Sequence, residues 1–126
     1  MILVDTSVWV EIFKDTKKGQ IALEKLKQSE TIYLSNISIA EIVAWSERNS
    51  IDSEELLVGI SKTANYLELD NQILKEAGLR YNKIRSLNQK IGLIDVIIYT
   101  AAQMHGLKLI SCDNDFENLP NVEIVK

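Results

Sequence analysis

The chain has 126 residues, 46% of them apolar and 25% charged, which suits one globular domain with a sizeable core and excludes a disordered chain or two full domains. Its formal net charge of −4 gives no overall attraction to nucleic acid, although a cation-loaded site and a local basic patch can act against a negative total. One cysteine, Cys112, and one histidine, His105, exclude an internal disulfide and the usual cysteine–histidine zinc centres, and no apolar run nears the roughly 20 residues of a membrane helix.

The opening MILVDTSVWV has no basic leader and carries an acid at position 5, so it reads as a structural first strand over Ile2 to Val4 rather than a signal peptide. A helix is expected to start at Ser7 and reach Phe13, and a second to run from Gly19 to Gln28 with Ile21, Leu23 and Leu26 on one face. Thr31 to Leu34 is a β-branched and aromatic strand. Asn36 to Glu47 is helical, capped by Ser35 or Asn36, and Ser53 to Lys62 is a helix with acids in its first turn. Ala64 to Leu69 holds a third strand. Asp70 caps a long helix ending near Leu87. Leu93 to His105 is helical, with Gly106 where a left-handed C-terminal glycine is expected. Lys108 to Ser111 is the fourth strand, Asn114 to Asn118 a short helical turn, and Val122 to Val125 a fifth strand. Strands alternating with helices, without linker or repeat, indicate a single α/β domain over residues 1–126 with a mainly parallel sheet. Ligands bind such sheets beyond the carboxyl ends of the strands, where the strand order reverses.

Most of the 18 acidic residues lie in mixed polar stretches and need no function. Four stand apart. Asp5 follows the apolar run ILV, Glu41 is the lone charge in ISIAEIVAW, Asp95 is the lone charge in IGLIDVIIYTAA, and Asp113 follows LISC with Asp115 two residues on. Each has an ordinary explanation alone, such as a helix cap or a polar turn. Jointly those explanations fit poorly. Three of the acids follow strand ends or open helices, and Glu41 lies about one turn into the helix after the second strand, so all four fall at one sheet edge. Carboxylates converging there repel, and a divalent cation relieves the repulsion. Magnesium and manganese take hard oxygen ligands and act on phosphate substrates. His105, expected in the last turn of its helix, suits a role in capping carbonyls rather than in a catalytic triad.

These residues resemble the PIN-domain family, and within it the VapC-type toxins. VDTSVWVEIF resembles the family's opening motif, SNISIAEI the second, and GLIDVIIYTAAQMHGLKLISCDNDF the third and fourth in one block. The resemblance covers essentially the whole chain. It implies a three-layer fold, with helices flanking a parallel sheet ordered 3-2-1-4-5. It places Asp5, Glu41, Asp95 and Asp113 at four acidic catalytic positions, with Asp5, Asp95 and Asp113 as metal ligands for magnesium or manganese. Ser7, Ser111 and Asp115 would support the site. Position 111 is more often threonine in the family, and serine keeps the hydroxyl. The implied activity is a metal-dependent ribonuclease, the toxin of a toxin–antitoxin pair.

The expected chemistry is hydrolysis of an RNA phosphodiester by water activated at one or two cations. Glu41 would hold a metal directly or through water, or help to deprotonate the nucleophile. Between Lys75 and Lys90 the chain carries five basic residues and one acid, Glu76. Arg80, Lys83, Arg85 and Lys90 are therefore candidate RNA contacts, against the plainer reading of a solvated helix face, and Tyr81 is a candidate base-stacking side chain. Apolar residues at Trp9, Val10, Phe13 and Trp45 are expected mostly in the core, some of them meeting a separate antitoxin chain or a homodimer partner. The location expected is cytoplasmic, away from membranes. The alternatives are a PIN-like module that binds RNA or protein without cutting, and a receiver-like signalling domain. A receiver would want paired acids after strand one, a central acid after strand three and a lysine after strand five. A dinucleotide-binding domain lacks its glycine-rich turn here.

Overall fold

A computed structural model describes residues 1–29 and 31–126. Five strands, β1 (Ile2–Val4), β2 (Ile32–Ser35), β3 (Asn65–Leu67), β4 (Lys108–Ser111) and β5 (Val122–Ile124), form one sheet in the order β3-β2-β1-β4-β5, as the sequence led us to expect. Every neighbouring pair is parallel. The order reverses at β1, which has β2 on one side and β4 on the other.

Side chains alternate across a strand, and β1 feeds two cores. Leu3 packs with Ile73, Ala77 and Ile84 of α5 (Asn71–Leu87) and Val96, Ile98 and Tyr99 of α6 (Leu93–Met104). Ile2 and Val4 face the other way. They meet Val8 and Trp9 of α1 (Thr6–Phe13), Ala22 and Leu26 of α2 (Lys17–Lys27), Ile42 of α3 (Ile37–Arg48) and Ile60 of α4 (Ser53–Ser61). Leu109 and Ile110 on β4 repeat this split. The result is three layers, with α5 and α6 on one face of the sheet and α1 to α4 on the other.

Element ends follow from local chemistry. Asp70 accepts from Ile73 N–H at 2.9 Å and starts α5. Asp52, rather than Ser53, caps α4 by accepting from Glu54 N–H at 3.0 Å. The second helix begins two residues before the expected Gly19, because Thr16 accepts from Gly19 N–H at 3.0 Å and so serves as its cap. Gly19 has a packing role instead of a breaking one. A Cβ there would lie 2.2 Å from the Glu11 carbonyl oxygen, so only glycine lets α2 approach α1 this closely. Gly106 does take the left-handed conformation after α6, with φ 65°. Among the described residues, no helix is long and apolar enough to cross a membrane.

Candidate active site

The carboxyl ends of β1 and β4 lie side by side, with Val4 opposite Ile110 and Asp5 N–H donating to the Ile110 carbonyl at 2.9 Å. Asp5 leaves β1 at this edge and Asp113 lies two residues beyond β4. Asp5 occupies the cap position of α1, yet its side chain makes no cap hydrogen bond. Its carboxylate turns to two hydroxyls instead. Ser7 Oγ donates to Oδ2 at 2.6 Å and Ser111 Oγ donates to the same oxygen at 2.9 Å. Each hydroxyl is itself fixed by the chain leaving β4. Ser7 Oγ accepts from Cys112 N–H and Ser111 Oγ from Asp113 N–H, both at 3.0 Å. Oδ2 is thus occupied by hydroxyls, whereas Oδ1 takes none.

Asp5 is only 4% exposed. Burial pushes its carboxyl above the usual range, the two serine hydroxyls pull it down, and the charge of Glu41 pushes it up again. Asp95 lies in the first turn of α6, where its carboxylate reaches back to Gly92 N–H at 3.4 Å. Glycine has no side chain to reciprocate, so this is half a capping box. The Asp95 carboxyl is raised from 3.8 to about 7, first by burial and then by the charge of Asp5, with Asp113 and Glu41 adding to it and the Gly92 N–H opposing. All four acids singled out in the sequence therefore lie within reach of one another's fields.

Carboxylate oxygens of Asp95, Asp113 and Asp115 come within 4.8 Å of one another. Asp115 thus stands inside the tightest acidic group, closer than the supporting place expected for it, while Asp5 borders that group. Asp113 caps the short 3-10 turn Asn114–Phe116 through Oδ1, which accepts from Asp115 N–H at 2.9 Å. Asn88 holds the same loop, its Nδ2 donating to the Asp115 carbonyl and its Oδ1 accepting from Lys90 N–H at 3.1 Å. Glu41 approaches from α3. Thr6 Oγ1 lies 2.7 Å from both Glu41 Oε1 and Ser38 Oγ; its single proton goes to the carboxylate, and Ser38 completes the relay as donor. Among the described residues, no lysine or arginine forms an ion pair with any of these five acids. Glu123 offers the contrast, because hydrogen bonds from Lys108 and Lys25 hold its carboxyl low. An uncompensated, all-oxygen donor set at the sheet's switch point fits a hard divalent cation.

Thr6, Ser38 and Asn88 were not among the expected site residues. Thr6 left a signal in the opening motif VDTS, and Ser38 lies three residues before Glu41 and so on the same helical face.

The basic stretch divides. Lys90 stands beside the Asp115 loop. Arg85 donates to Tyr81 Oη at 3.0 Å and lies 5.8 Å above that ring, which also packs on the core. Tyr81 is thus engaged at its hydroxyl by Arg85 and half-buried against the core. Arg80 donates to Glu76 at 2.8 Å. Burial raises the Tyr99 hydroxyl and the Arg80 charge opposes it, which sets Arg80 beside Tyr99, one turn past Asp95. Lys83 is exposed and makes no ion pair among the described residues. His105 caps the opposite end of α6, about 15 Å of helix from Asp95. Asp70, the acid after β3 that a receiver reading would call on, is spent on its cap bond to α5.

A family model described as PIN domain matches residues 2–122. Among curated proteins, the chain is 26% identical to "VapC ribonuclease Mb1587" of Mycobacterium bovis, covering 97% of this chain and 93% of that protein. "Ribonuclease VapC11" of Mycobacterium tuberculosis matches with the same identity and coverage. Among solved structures, a toxin–antitoxin complex from Klebsiella pneumoniae superposes with a TM-score of 0.81 at 24% identity, covering 100% of this chain and 98% of that one. Mycobacterium tuberculosis VapC20, described as a sarcin–ricin loop cleaving toxin, superposes with a TM-score of 0.77 at 15% identity over the whole of both chains. At these identities the superpositions bear on the fold alone.

Proposed function

The chain belongs to the PIN-domain family, and on that footing we propose that it is a metal-dependent endoribonuclease that hydrolyses RNA phosphodiester bonds, the toxin of a toxin–antitoxin pair. The observation that carries the reading is the convergence of Asp5, Glu41, Asp95 and Asp113, where burial first and then the charges of the other three raise Asp95 to about 7, with no basic side chain among the described residues paired to them. The ribonuclease names of the mycobacterial relatives point the same way.

Asp5, Asp95 and Asp113 would hold magnesium or manganese, with Asp115 close enough to share in the holding. A cation bound there lowers the pKa of its water and neutralises charge that grows on the phosphate. The protein's own part is orientation. Ser7 and Ser111 fix one oxygen of Asp5 and direct the other at the site. The Ser38–Thr6 relay fixes one oxygen of Glu41, leaving the second to hold a cation directly, to hold it through water, or to take a proton from the attacking water. Lys90 and Lys83 would meet flanking phosphates.

A groove of about 300 Å³ lined by Thr6, Val10, Glu41, Ala44, Trp45 and Arg48 opens beside Glu41. Trp9, Phe13 and Trp45 form a stacked series next to it, with centroids 6.3 and 6.4 Å apart. Trp9 is core, and Phe13 and Trp45 are half-buried. This aromatic groove is where a separate antitoxin chain would reach the active site, in a cytoplasmic protein that works as a homodimer. The test of the enzymatic reading is cleavage of a panel of structured and single-stranded RNAs, with and without magnesium or manganese, wild type beside Asp95→Asn. Equal, metal-independent cleavage by both proteins would overturn it.

A further inference from the structure

Between the end of α5 and the loop after β4, with Asp115 in its wall, lies a cavity of about 640 Å³. That volume falls in the range of roughly 300–1,000 Å³ typical of small-ligand sites. Asp115 of the acidic cluster and Asn88 are part of its lining, and the rest lies outside the cluster. Leu87, 78% exposed at the last position of α5, and Leu119 give it apolar walls. Asn114, Glu117 and Asn118 supply polar groups. Among the described residues, the Asn114 and Asn118 amides make no hydrogen bond, and Glu117 has only a 3.4 Å ion pair with the exposed Lys126. Such a pair is weak and easily displaced. Lys90 stands at the rim.

Resting on the ribonuclease reading, we propose that this cavity reads one unpaired base, a guanine, next to the phosphate held at the carboxylate cluster. Unpaired bases are recognised by covering their faces and hydrogen-bonding their edges; Leu87 and Leu119 cover a face, and Glu117 and the asparagines meet the edge. A carboxylate only accepts hydrogen bonds. Guanine presents two adjacent donors on its Watson–Crick edge, N1–H and the N2 amino group, which match the two oxygens of Glu117. Adenine, cytosine and uracil each present one donor beside acceptors, and an acceptor facing Glu117 is repelled. Asn118 would bond a remaining acceptor such as O6, and Lys90 would contact the adjoining phosphate as a point charge.

The experiment measures binding apart from cutting. Four oligouridine hexamers, each carrying A, C, G or U at one central position, are titrated by fluorescence anisotropy against the full chain bearing Asp5→Asn, in magnesium. The expected result is at least about tenfold tighter binding of the guanine hexamer. Adding Glu117→Gln should bring that preference below about twofold with little change for the other three hexamers, since glutamine replaces one acceptor by a donor. Asn118→Gly is the companion variant: Asn118 sits at φ 71°, so glycine removes the amide without straining the loop, and the guanine preference should again shrink. Equal affinity for all four hexamers, no binding of any, or a guanine preference that survives both variants would overturn the pocket. Metal-dependent cleavage by the wild-type chain is scored separately, so that loss of the pocket with cleavage intact is told apart from failure of the ribonuclease reading.

Discussion

Replacing Asp95 with asparagine should make the metal-free protein more stable, by an amount that grows with pH. The Asp95 carboxyl stands at about 7 in the folded chain against an ordinary value of 3.8. The folded state therefore binds a proton that the unfolded chain gives up. Stability from that proton is fully present below the unfolded value and is lost as pH rises through the folded one, a window from about pH 4 to about pH 7. The rise from 3.8 to about 7 corresponds to at most about 4 kcal/mol, at about 1.36 kcal/mol for each tenfold change in proton affinity. Asp95 is partly open to water, and halving the figure for screening leaves about 2 kcal/mol. In a domain of this length about 1 kcal/mol moves the melting temperature by about 4 °C. Asparagine carries no charge at any pH and keeps an oxygen for the Gly92 N–H. In chelator, Asp95→Asn should thus melt about 8 °C above wild type at pH 8, with the two converging at pH 4. Thermal unfolding followed by circular dichroism across pH 4–9 measures this. An offset that does not change with pH, or a variant that melts below wild type at pH 8, would refute the claim that burial and the neighbouring carboxylates make an ionised Asp95 costly to the fold.

Other outcomes follow from the same geometry. Magnesium or manganese should raise the melting temperature at pH 8, by about 2.7 kcal/mol of stabilisation at a hundredfold excess over Kd, and much less at pH 5, where Asp95 is protonated; calorimetry at the two pH values checks it. Asp5→Asn should lower the cleavage rate by at least about a hundredfold, the scale of losing a main electrostatic element of a site, while circular dichroism shows a folded chain. Asn88→Ala should weaken manganese binding, read by electron paramagnetic resonance, because the Asp115 loop loses its tether, with the melting temperature falling by only a few degrees for about 1 kcal/mol. Gly19→Ala should destabilise the domain by about 1–3 kcal/mol in urea unfolding, the scale of overpacking, because the new methyl group meets backbone that cannot step aside.

Much of this architecture was legible in the chain. Short β-branched runs alternating with amphipathic stretches gave the strands and helices, and the apolar surroundings of Asp5, Glu41 and Asp95 marked them as acids out of place. What escaped the reading depends on packing between distant segments. Gly19 reads as a helix boundary because glycine is a poor helix former, but its reason for being there is the Glu11 carbonyl on the neighbouring helix. Thr6 meets Ser38 and Glu41 across 32 and 35 residues, and Asn88 meets Asp115 across 27, separations over which no local pattern carries information. Arg80 and Lys90 look equivalent as charges in one basic run. Only the turn after α5, fixed by Asn88, puts Lys90 beside the acids and leaves Arg80 with Glu76.

The arrangement around Asp5 shows how the fold tolerates such a site. A carboxylate this deeply buried raises its own pKa and weakens the domain unless donors meet it. Ser7 and Ser111 supply two, and both go to the same oxygen. Two donors placed one on each oxygen would also lower the desolvation cost, but would leave no oxygen turned to the neighbouring acids. Since Ser7 and Ser111 are themselves anchored by the N–H groups of Cys112 and Asp113, the end of β1 and the end of β4 are tied through one oxygen of Asp5. Burial then serves orientation: the hydroxyls hold Oδ2 and the chain leaving β4 holds the hydroxyls, and on the proposed function Oδ1 would be left to meet a cation. Neither serine alone maintains this, because Ser7 ties the start of α1 to Cys112 whereas Ser111 ties the end of β4 to Asp113. Ser7→Ala or Ser111→Ala should therefore cost catalysis through misplacement of Asp5 even where the other hydroxyl still satisfies its charge.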